Sequence, residues 1–197
     1  MTESTLGLRI ALATALLSTT AFADAPAGGA HFASDPAKST LQFSFVQAGA
    51  TNTGKFAKFP VTLDAAADGS AASKLDVTVD MTTMDSGDKD RDDTLRGPDL
   101  FSVAKFPQAH FAATQITKTA AGFDALGKLT IRGVTRDQHV LFTLRAANEQ
   151  GHAVSYLTGK TTIHRLDFGV GQGDWKSTEW VGNDVTVSYN VRLVAGP

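Results

Sequence analysis

The stretch of this chain with the most obvious potential for chemistry is an acidic run from Asp85 to Asp93. Three of its carboxylates alternate, as at the start of a calcium-binding loop: Asp88, Asp90 and Asp92. Such a loop needs Gly at its sixth position and a long, bidentate Glu at its twelfth. Counted from Asp88, this chain has Asp93 and Asp99 at those positions. The run therefore predicts no metal site.

A helix start explains the same acids better. Asp88 or Asp90 can accept hydrogen bonds from the free N–H groups of a first helical turn, and acids favour the positive end of a helix. Arg91 can pair with a neighbouring carboxylate. One alternative stays open, a metal- or carboxylate-dependent hydrolase that uses the Asp85–Asp93 loop, because many aspartates are available for a carboxylate pair.

The other reactive residue types form no recognisable constellation. The histidines are scattered, and no two have the i, i+4 spacing of a helical zinc site: His31, His110, His139, His152 and His164. The chain has no Gly-x-Ser-x-Gly turn for a serine nucleophile. The glycines from Gly169 to Gly173 lack the Lys-Ser/Thr of a phosphate-binding loop. We therefore expect a protein that is not an enzyme and that uses no cofactor or metal.

The composition excludes several classes of partner. The chain of 197 residues has 18 Lys+Arg against 20 Asp+Glu, and its net charge of -2 provides no basic field for nucleic acid. It has no cysteine, which rules out disulfides, thiolate chemistry and a cysteine-linked lipid anchor. Stability must come from the packing of its apolar residues.

The first residues predict export. An apolar run from Ile10 to Leu17 precedes Ala21-Phe22-Ala23, which is an A-x-A cleavage pattern. The run is too short to span a bilayer. We expect a signal peptide over residues 1–23 with cleavage at Ala23, a flexible leader over 24–30 and one domain over 31–197. The mature chain would be periplasmic or secreted, without stable membrane insertion.

Beyond the leader, apolar residues recur with a period of two, which is typical of half-buried strands. Clear alternation lies at 40–46, 75–81 and 184–193, and noisier runs lie at 55–64, 109–117, 121–132, 138–146 and 153–166. Eight antiparallel strands leave no exposed edge if they close on themselves. We therefore expect an all-β fold, a closed antiparallel eight-stranded barrel, with one or two short helices in Ser86–Val103 and an irregular loop in Gly169–Trp180.

A barrel of this size encloses either packed side chains or one small ligand. Our hypothesis is an apolar cavity for a lipid-like ligand, and the alternation of the strands assigns its wall. The assigned residues are Phe43, Phe45, Val79, Met81, Phe111, Leu129, Ile131, Phe142, Ile163 and Phe168, with Leu95, Leu100 and Phe101 on a helical plug. Gly133 and Gly169 are expected at turns, and Arg165 is expected to pair with Asp167 or with a loop carboxylate.

Several strings, in a fixed order from about His31 to Val194, carry a family resemblance. They are Gly54-Lys55-Phe56, Asp90-Arg91-Asp92-Asp93-Thr94-Leu95, Pro98-Asp99-Leu100-Phe101, Lys105-Phe106-Pro107, His110-Phe111-Ala112, Gly127-Lys128-Leu129-Thr130-Ile131-Arg132-Gly133-Val134-Thr135, Arg165-Leu166-Asp167-Phe168-Gly169 and Val181-Gly182-Asn183-Asp184-Val185. With them the chain resembles the YceI-like family of exported polyisoprenoid-binding proteins, which have a lipocalin-like barrel.

The resemblance implies an internal tunnel for a long isoprenoid chain, such as a quinone or a polyprenyl phosphate, and a role as a soluble lipid carrier or buffer. Two segments depart from the family pattern. Gln47-Ala48-Gly49-Ala50 replaces a more basic stretch, and the 171–177 loop places Trp175 and Trp180 either over the cavity mouth or on the outside. A ligand-free stress or interaction protein remains a second alternative, and the oligomeric state is left open between a monomer and a homodimer.

Overall fold

The computed structural model describes residues Gly29–Gly196, and this part of the chain is mostly β. Its eleven strands are β1 Gly29–Ser34, β2 Thr40–Gln47, β3 Ala50–Phe56, β4 Val61–Ala66, β5 Ala72–Asp80, β6 Met84–Asp85, β7 Gln108–Thr119, β8 Gly122–Ile131, β9 Val134–Glu149, β10 His152–His164 and β11 Val181–Ala195. The signal peptide predicted for residues 1–23 lies outside the described residues. Gly29 and Ala30, which the leader prediction includes, instead begin β1.

Helices are short and lie between strands. The α-helix α1 spans Lys89–Arg96, inside the segment for which one or two helices are predicted. The 3-10 helices η1 to η4 span Pro36–Lys38, Met81–Thr83, Arg165–Phe168 and Gly173–Lys176. From Gly29 to Gly196, no helix has both the length and the apolar character needed to cross a membrane.

Eight of the strands close into an antiparallel barrel, which confirms the predicted fold. Their order is β1-β4-β5-β7-β8-β9-β10-β11, and β1 also pairs with β11. One edge of β11 bonds β10 from Asp184 to Val194. Its other edge bonds β2 first and then, from Leu193 to Ala195, β1. β2, β3 and β6 extend from that edge as a three-stranded flap.

One predicted strand is wrong. The run at 55–64 divides between β3 and β4, because Pro60 has no N–H to donate to a sheet ladder. The N–H groups of Ala57 and Lys58 turn away and donate to Thr83 Oγ1, each at 3.2 Å. The chain therefore leaves the flap at this point and enters the barrel.

The barrel interior is packed at one end and hollow at the other. The packed end is filled by buried apolar residues: Phe32, Leu63, Leu75, Phe123, Phe142, Leu157, Val191 and Leu193. Phe123 and Phe142 stack there, with ring centroids 5.3 Å apart. Burying large apolar side chains is the dominant stabilising contribution in such a core. The packed end can therefore hold the strands in place while the other end stays open inside.

An ionic network ties three segments together beside the packed end. The Arg192 guanidinium, 11% exposed, donates to Glu149 Oε2 at 2.7 Å and to Asp35 Oδ2 at 2.8 Å. The Tyr156 hydroxyl donates to the other Glu149 oxygen. The bonds from Arg192, and then the bond from Tyr156, hold the pKa of Glu149 below its usual value.

Replacing Glu149 by Gln should lower the free energy of unfolding at neutral pH, and the loss should shrink on acidification. Because the pKa of Glu149 is lower in the folded protein, its carboxylate stabilises the fold fully at pH values above the pKa in the unfolded chain, about 4.3. That stabilisation is lost as the pH falls through the pKa of the folded protein. Urea titrations of the wild type and Glu149→Gln at about pH 7 and about pH 3 measure both differences. Glu179→Gln, at an exposed glutamate, is the control. A Glu149→Gln loss that is the same at both pH values would contradict the linkage.

Gly127 on β8 leaves room for an aromatic ring at the hollow end. A Cβ at this position would lie 2.4 Å from Ala112 O and 2.6 Å from Phe111 Cζ. Atoms do not approach that closely without displacement of one partner. Because Gly127 has no side chain, the Phe111 ring can occupy the space beside it.

The substitution Gly127→Ala should therefore destabilise the fold by about 1–3 kcal/mol, the usual cost of overpacking. Gly182→Ala is the matched control in another strand, since its nearest atom outside the adjacent residues, Val46 O, lies 3.7 Å from the added methyl group. Its effect should stay within about 0.5 kcal/mol. Urea midpoints compare the two variants, and equal losses would show that the close contact at Gly127 is unimportant.

Candidate ligand-binding cavity

The hollow end of the barrel contains an inner chamber of about 160 Å³. Its wall consists of inward-facing side chains from the flap, from most of the barrel strands and from η3, and nearly all of them are hydrocarbon. The polar residues that contribute to it are Gln138, Thr161, Arg165 and Tyr189; His110 also borders it, although its side chain is exposed and pairs with Asp76 on the outer surface. A space lined in this way fits an apolar chain.

A second, outer chamber of about 370 Å³ adjoins the first. The two share five lining residues: Phe43, Phe101, Arg165, Val170 and Val185. The outer chamber also has polar and charged residues in its wall, namely Gln47, Asp88, Asp90, Arg91 and Thr94. An apolar chamber thus lies beside a partly polar one, which is the arrangement that an amphipathic molecule requires.

Most of the residues assigned to the wall from sequence lie around these chambers. The inner chamber is lined by Phe43, Val79, Met81, Phe101, Phe111, Leu129, Ile131, Ile163 and Phe168. Phe45, Leu95 and Leu100 line the outer chamber. Phe142 lines neither, because its register opposite Phe123 puts it in the packed end. The alternation places Phe142 on the inward face correctly but gives no indication of which end of the barrel it occupies.

Sequence reasoning missed several wall residues. They are chiefly Leu41, Phe56, Val77, Met84, Val140, Val187 and Tyr189. Leu41, Val77, Val187 and Tyr189 fall on the apolar phase of alternating runs, so a full reading of that phase would have found them. Met84 lies on the two-residue strand β6, for which alternation gives no signal.

The helix α1 forms one side of the outer chamber, and its start is as predicted. Asp88 is the N-cap, and its side chain accepts from Arg91 N at 3.0 Å. The Arg91 guanidinium returns to Asp88 Oδ2 at 3.4 Å. Leu95 on this helix is buried, as is Leu100 just beyond its end. The predicted helix is therefore present, and two of the apolar residues assigned to it and its end are buried.

The other carboxylates of the acidic run point to separate partners. Asp92 accepts from Ser86 N at 2.9 Å, Asp93 pairs with Lys89 at 2.5 Å, and Asp85 pairs with Lys55 at 3.4 Å. Between Gly29 and Gly196, no three His, Asp or Glu side chains gather as metal ligands would. The acids thus act in capping and pairing in this structure.

Arg165 is the most unusual residue in the wall, at the junction of the two chambers. It is 5% exposed, and its five N–H groups all donate to backbone carbonyls. Nε bonds Gly182 O at 3.0 Å, Nη1 bonds the carbonyls of Val170 and Trp175, and Nη2 bonds those of Ser177 and Val181, at 2.7–3.1 Å. Burial lowers the pKa of the guanidinium. No donor is left for a carboxylate.

The prediction that Arg165 pairs with Asp167 or a loop carboxylate is therefore wrong. A planar guanidinium presents its five donors in a fixed fork, and here they fix the loop that follows η3. The β11 bulge between Val181 and Val185 aims two of the accepting carbonyls at it. Gly169 ends η3 with φ 67° and Gly133 has φ 73°, which confirms both as turn glycines.

The sequence places Trp175 and Trp180 either over the cavity mouth or on the outside, and the structure gives a different answer for each. Trp175, on η4, lines the outer chamber. Trp180 is 69% exposed on the outside, next to the residues that start β11. One tryptophan therefore contributes to the wall of the cavity, and the other does not.

The histidines are surface residues, as expected, and four of them pair with aspartates across strands. The pairs are His31–Asp64 at 2.6 Å, His110–Asp76 at 3.0 Å, His139–Asp124 at 2.9 Å and His164–Asp184 at 2.8 Å. Each pair lies on a different pair of strands. They are cross-strand contacts of the outer surface rather than parts of one site.

Replacing Arg165 by Met should destabilise the fold by about 3 kcal/mol or more, since it leaves five carbonyls of the 170–182 segment without their donor. Urea unfolding measures the loss, and limited trypsin cleavage at Lys176 should become faster than in the wild type. Arg136→Met is the control, because Arg136 is exposed and donates only to the adjacent Thr135 O. If both variants behaved alike, the network around Arg165 would not be holding the loop.

Comparisons with known proteins show that this chain shares its fold with several solved structures. A crystal structure of Burkholderia cenocepacia BcnA matches with a TM-score of 0.70 and 30% identity, over 83% of this chain and 99% of that one. A Campylobacter jejuni YCEI protein matches with a TM-score of 0.68 and 22% identity, over 73% and 85%. A polyisoprenoid binding domain from Saccharophagus degradans, implicated in plant cell wall breakdown, matches with 0.57 and 16%, over 86% and 100%.

Curated relatives match over a shorter stretch. UPF0312 proteins of Yersinia pestis and of an Enterobacter species are 41% and 42% identical over 66 residues. That stretch is about a third of each relative, at 34%, and the same share of this chain. The model of the YceI-like domain matches residues 32–193, which include nearly all of the barrel, the flap and α1. The chain therefore belongs to the YceI-like domain family.

Proposed function

We propose that this protein binds an amphipathic isoprenoid-type lipid, such as a quinone or a polyprenyl phosphate, and carries or buffers it. The observation that carries the proposal is that an apolar inner chamber adjoins an outer chamber with polar groups in its wall. The apolar chain of the lipid would lie in the inner chamber, and its polar head would lie in the outer one. The protein would hold the ligand without transforming it.

Burial of the apolar chain alone would give enough binding free energy to hold such a lipid, without any catalytic or charged contact. A chain that buries ~10 methylene equivalents at ~0.8 kcal/mol each gains a gross ~8 kcal/mol, which corresponds to roughly micromolar binding before ordering costs. That strength suits a carrier, because the ligand must also be released.

The outer chamber fits a polar head group of mixed character. Arg91 and Gln47 offer N–H donors, and the carboxylates of Asp88 and Asp90 can accept. The Thr94 hydroxyl, which donates to Asp90 O at 2.8 Å, can also accept. The Arg165 guanidinium lies at the boundary with all its donors already bonded, so it can contribute charge but no further hydrogen bond. We infer that head-group contacts are made chiefly by α1 and the end of β2.

Two further observations support the proposal. The Saccharophagus degradans neighbour, which shares the fold, is described as a polyisoprenoid binding domain. The apolar run and A-x-A pattern over residues 1–23 indicate an exported compartment, where a hydrophobic lipid would need a carrier to cross water.

Filling the inner chamber should abolish lipid retention. Val187 faces the chamber from β11, and the adjacent Ser188 is exposed on the opposite face. In Val187→Phe the added ring occupies space that the ligand needs. The amount of co-purifying lipid and the affinity for all-trans-retinol should therefore fall by about tenfold or more, which corresponds to a loss of ~1.4 kcal/mol in binding free energy. Ser188→Phe adds the same ring outside the barrel and should retain lipid like the wild type.

Native mass spectrometry and organic extraction of protein purified from its own exported compartment measure the retained lipid. Circular dichroism and urea midpoints show whether each variant is folded. Wild-type protein that carries no lipid and binds no retinol would overturn the proposed function. Equal retention by Val187→Phe and Ser188→Phe would show that the ligand lies elsewhere.

A further inference from the structure

Two neighbouring strands of the barrel separate beside the inner chamber. β9 and β10 pair from Glu149 and His152 as far as Phe142 and Gly159, and there the ladder stops. Beyond that point β9 residues 134–141 pair only with β8, and β10 residues 160–164 pair only with β11. We call this unpaired stretch of the wall the β9–β10 seam.

Side chains span the seam in place of a backbone ladder. Gln138 Nε2 donates to Thr161 Oγ1 and to Thr162 O, each at 3.2 Å. Thr161 Oγ1 donates to His139 O at 2.7 Å. From β11, the Tyr189 hydroxyl donates to Leu141 O at 2.6 Å. These bonds occupy carbonyls that a continuous ladder would have used.

The same side chains interrupt the apolar wall of the inner chamber. Gln138, Thr161 and Tyr189 occupy inward-facing positions of their strands and line the chamber. An apolar residue at any of these positions would suit the chamber better, since polar groups are costly next to an apolar ligand. Burial raises the pKa of the Tyr189 hydroxyl, so this group stays a donor at every physiological pH. The polar residues therefore lie where the wall is not held by strand pairing.

Both edges of the seam are anchored, and its end has the features of a pivot. At Gly159 a Cβ would lie 2.2 Å from Leu141 O and 2.7 Å from the Tyr189 ring, so only glycine allows these two groups to lie so close to β10 at the end of the ladder. Leu141, at the same place, turns its apolar side chain outward and is 54% exposed. Separation of the strands can thus increase without disturbing the β8–β9 or β10–β11 ladders.

We propose that the β9–β10 seam is the lateral portal through which an isoprenoid-type chain enters and leaves the inner chamber, with Gln138 and Thr161 as its latch. The inference rests on the proposed function and adds a route to it. Opening requires the loss of a few side-chain hydrogen bonds, each weak in net terms because water replaces the partner. The alternative route leads through the outer chamber, past α1 and the loop fixed by Arg165.

A covalent staple across the seam tests this route. The chain has no cysteine, so two introduced thiols are the only ones that a bifunctional maleimide can bridge. His139→Cys with Thr162→Cys places them on the outer face of the seam, away from the chamber. Thr143→Cys with Thr158→Cys is the matched control on the same strands, where the two residues are register partners and their hydroxyl oxygens lie 2.8 Å apart.

Exchange of all-trans-retinol into phosphatidylcholine vesicles, followed by its fluorescence, is measured for each protein before and after bridging. The staple across the seam should slow both loading and release by about tenfold or more and change the equilibrium affinity by less than about threefold. The bridged control should exchange like its unbridged form. Unchanged exchange with the stapled seam would overturn the portal while leaving the proposed function intact. Failure of the wild type to bind retinol would overturn both.

The latch variant Gln138→Met gives the opposite readout and keeps the size of the side chain. It should load retinol about tenfold faster, because the bonds to Thr161 and Thr162 no longer resist opening. Gln115→Met, at an exposed amide of β7, is its control. Slower or unchanged exchange in Gln138→Met, with a wild-type circular dichroism spectrum, would contradict the role of the latch.

Discussion

The fold depends on the long strand β11, because one of its edges forms backbone hydrogen bonds with two other strands. β11 pairs with β10 along nearly its whole length, and its second edge is shared between β2 and β1. Without the β1 pairing the barrel would have two open edges, which are sites of aggregation in antiparallel sheets. Without the β2 pairing the flap would have no attachment to the barrel. The β2 pairing contains a bulge between Val181 and Val185, and carbonyls of this bulge accept hydrogen bonds from Arg165.

Closure of the barrel allows stability and binding to be separated along its axis. The packed end supplies the apolar burial, with Phe32, Leu63 and Leu193 almost completely inaccessible. The hollow end gives up some of that burial, and a void without contacts costs free energy. Arg165 limits this cost at the junction, because a charged group with all five donors bonded fixes the 170–182 loop without filling the chamber. A buried ion pair would have added a carboxylate to the apolar wall.

The sequence was sufficient for the fold class and for the face of each strand, since a period of two is robust in β2, β5 and β11. It was insufficient where local rules conflict with tertiary contacts. Pro60 divides what reads as one strand, and β1 begins with Gly29 and Ala30, which the sequence assigns to a leader. For the cavity, alternation identified inward positions but not their depth, which is why Phe142 was grouped with Phe111. Depth depends on register between distant strands, and one sequence contains no direct record of it.

Polar residues on the inward phase of β9 and β10 are the clearest departure from the alternating pattern. In a barrel whose only task is stability, Gln138 and Thr161 would be replaced by aliphatic residues and the ladder would continue past Gly159. Places where a sequence violates its own pattern are expected at functional sites, because selection there is not for stability alone. The violations in this chain coincide with a boundary of the inner chamber where two neighbouring strands have lost their pairing. A wall that holds an apolar chain and still releases it needs one boundary weaker than the rest, and side-chain bonds between separated strands provide such a boundary while the β8–β9 and β10–β11 ladders remain intact.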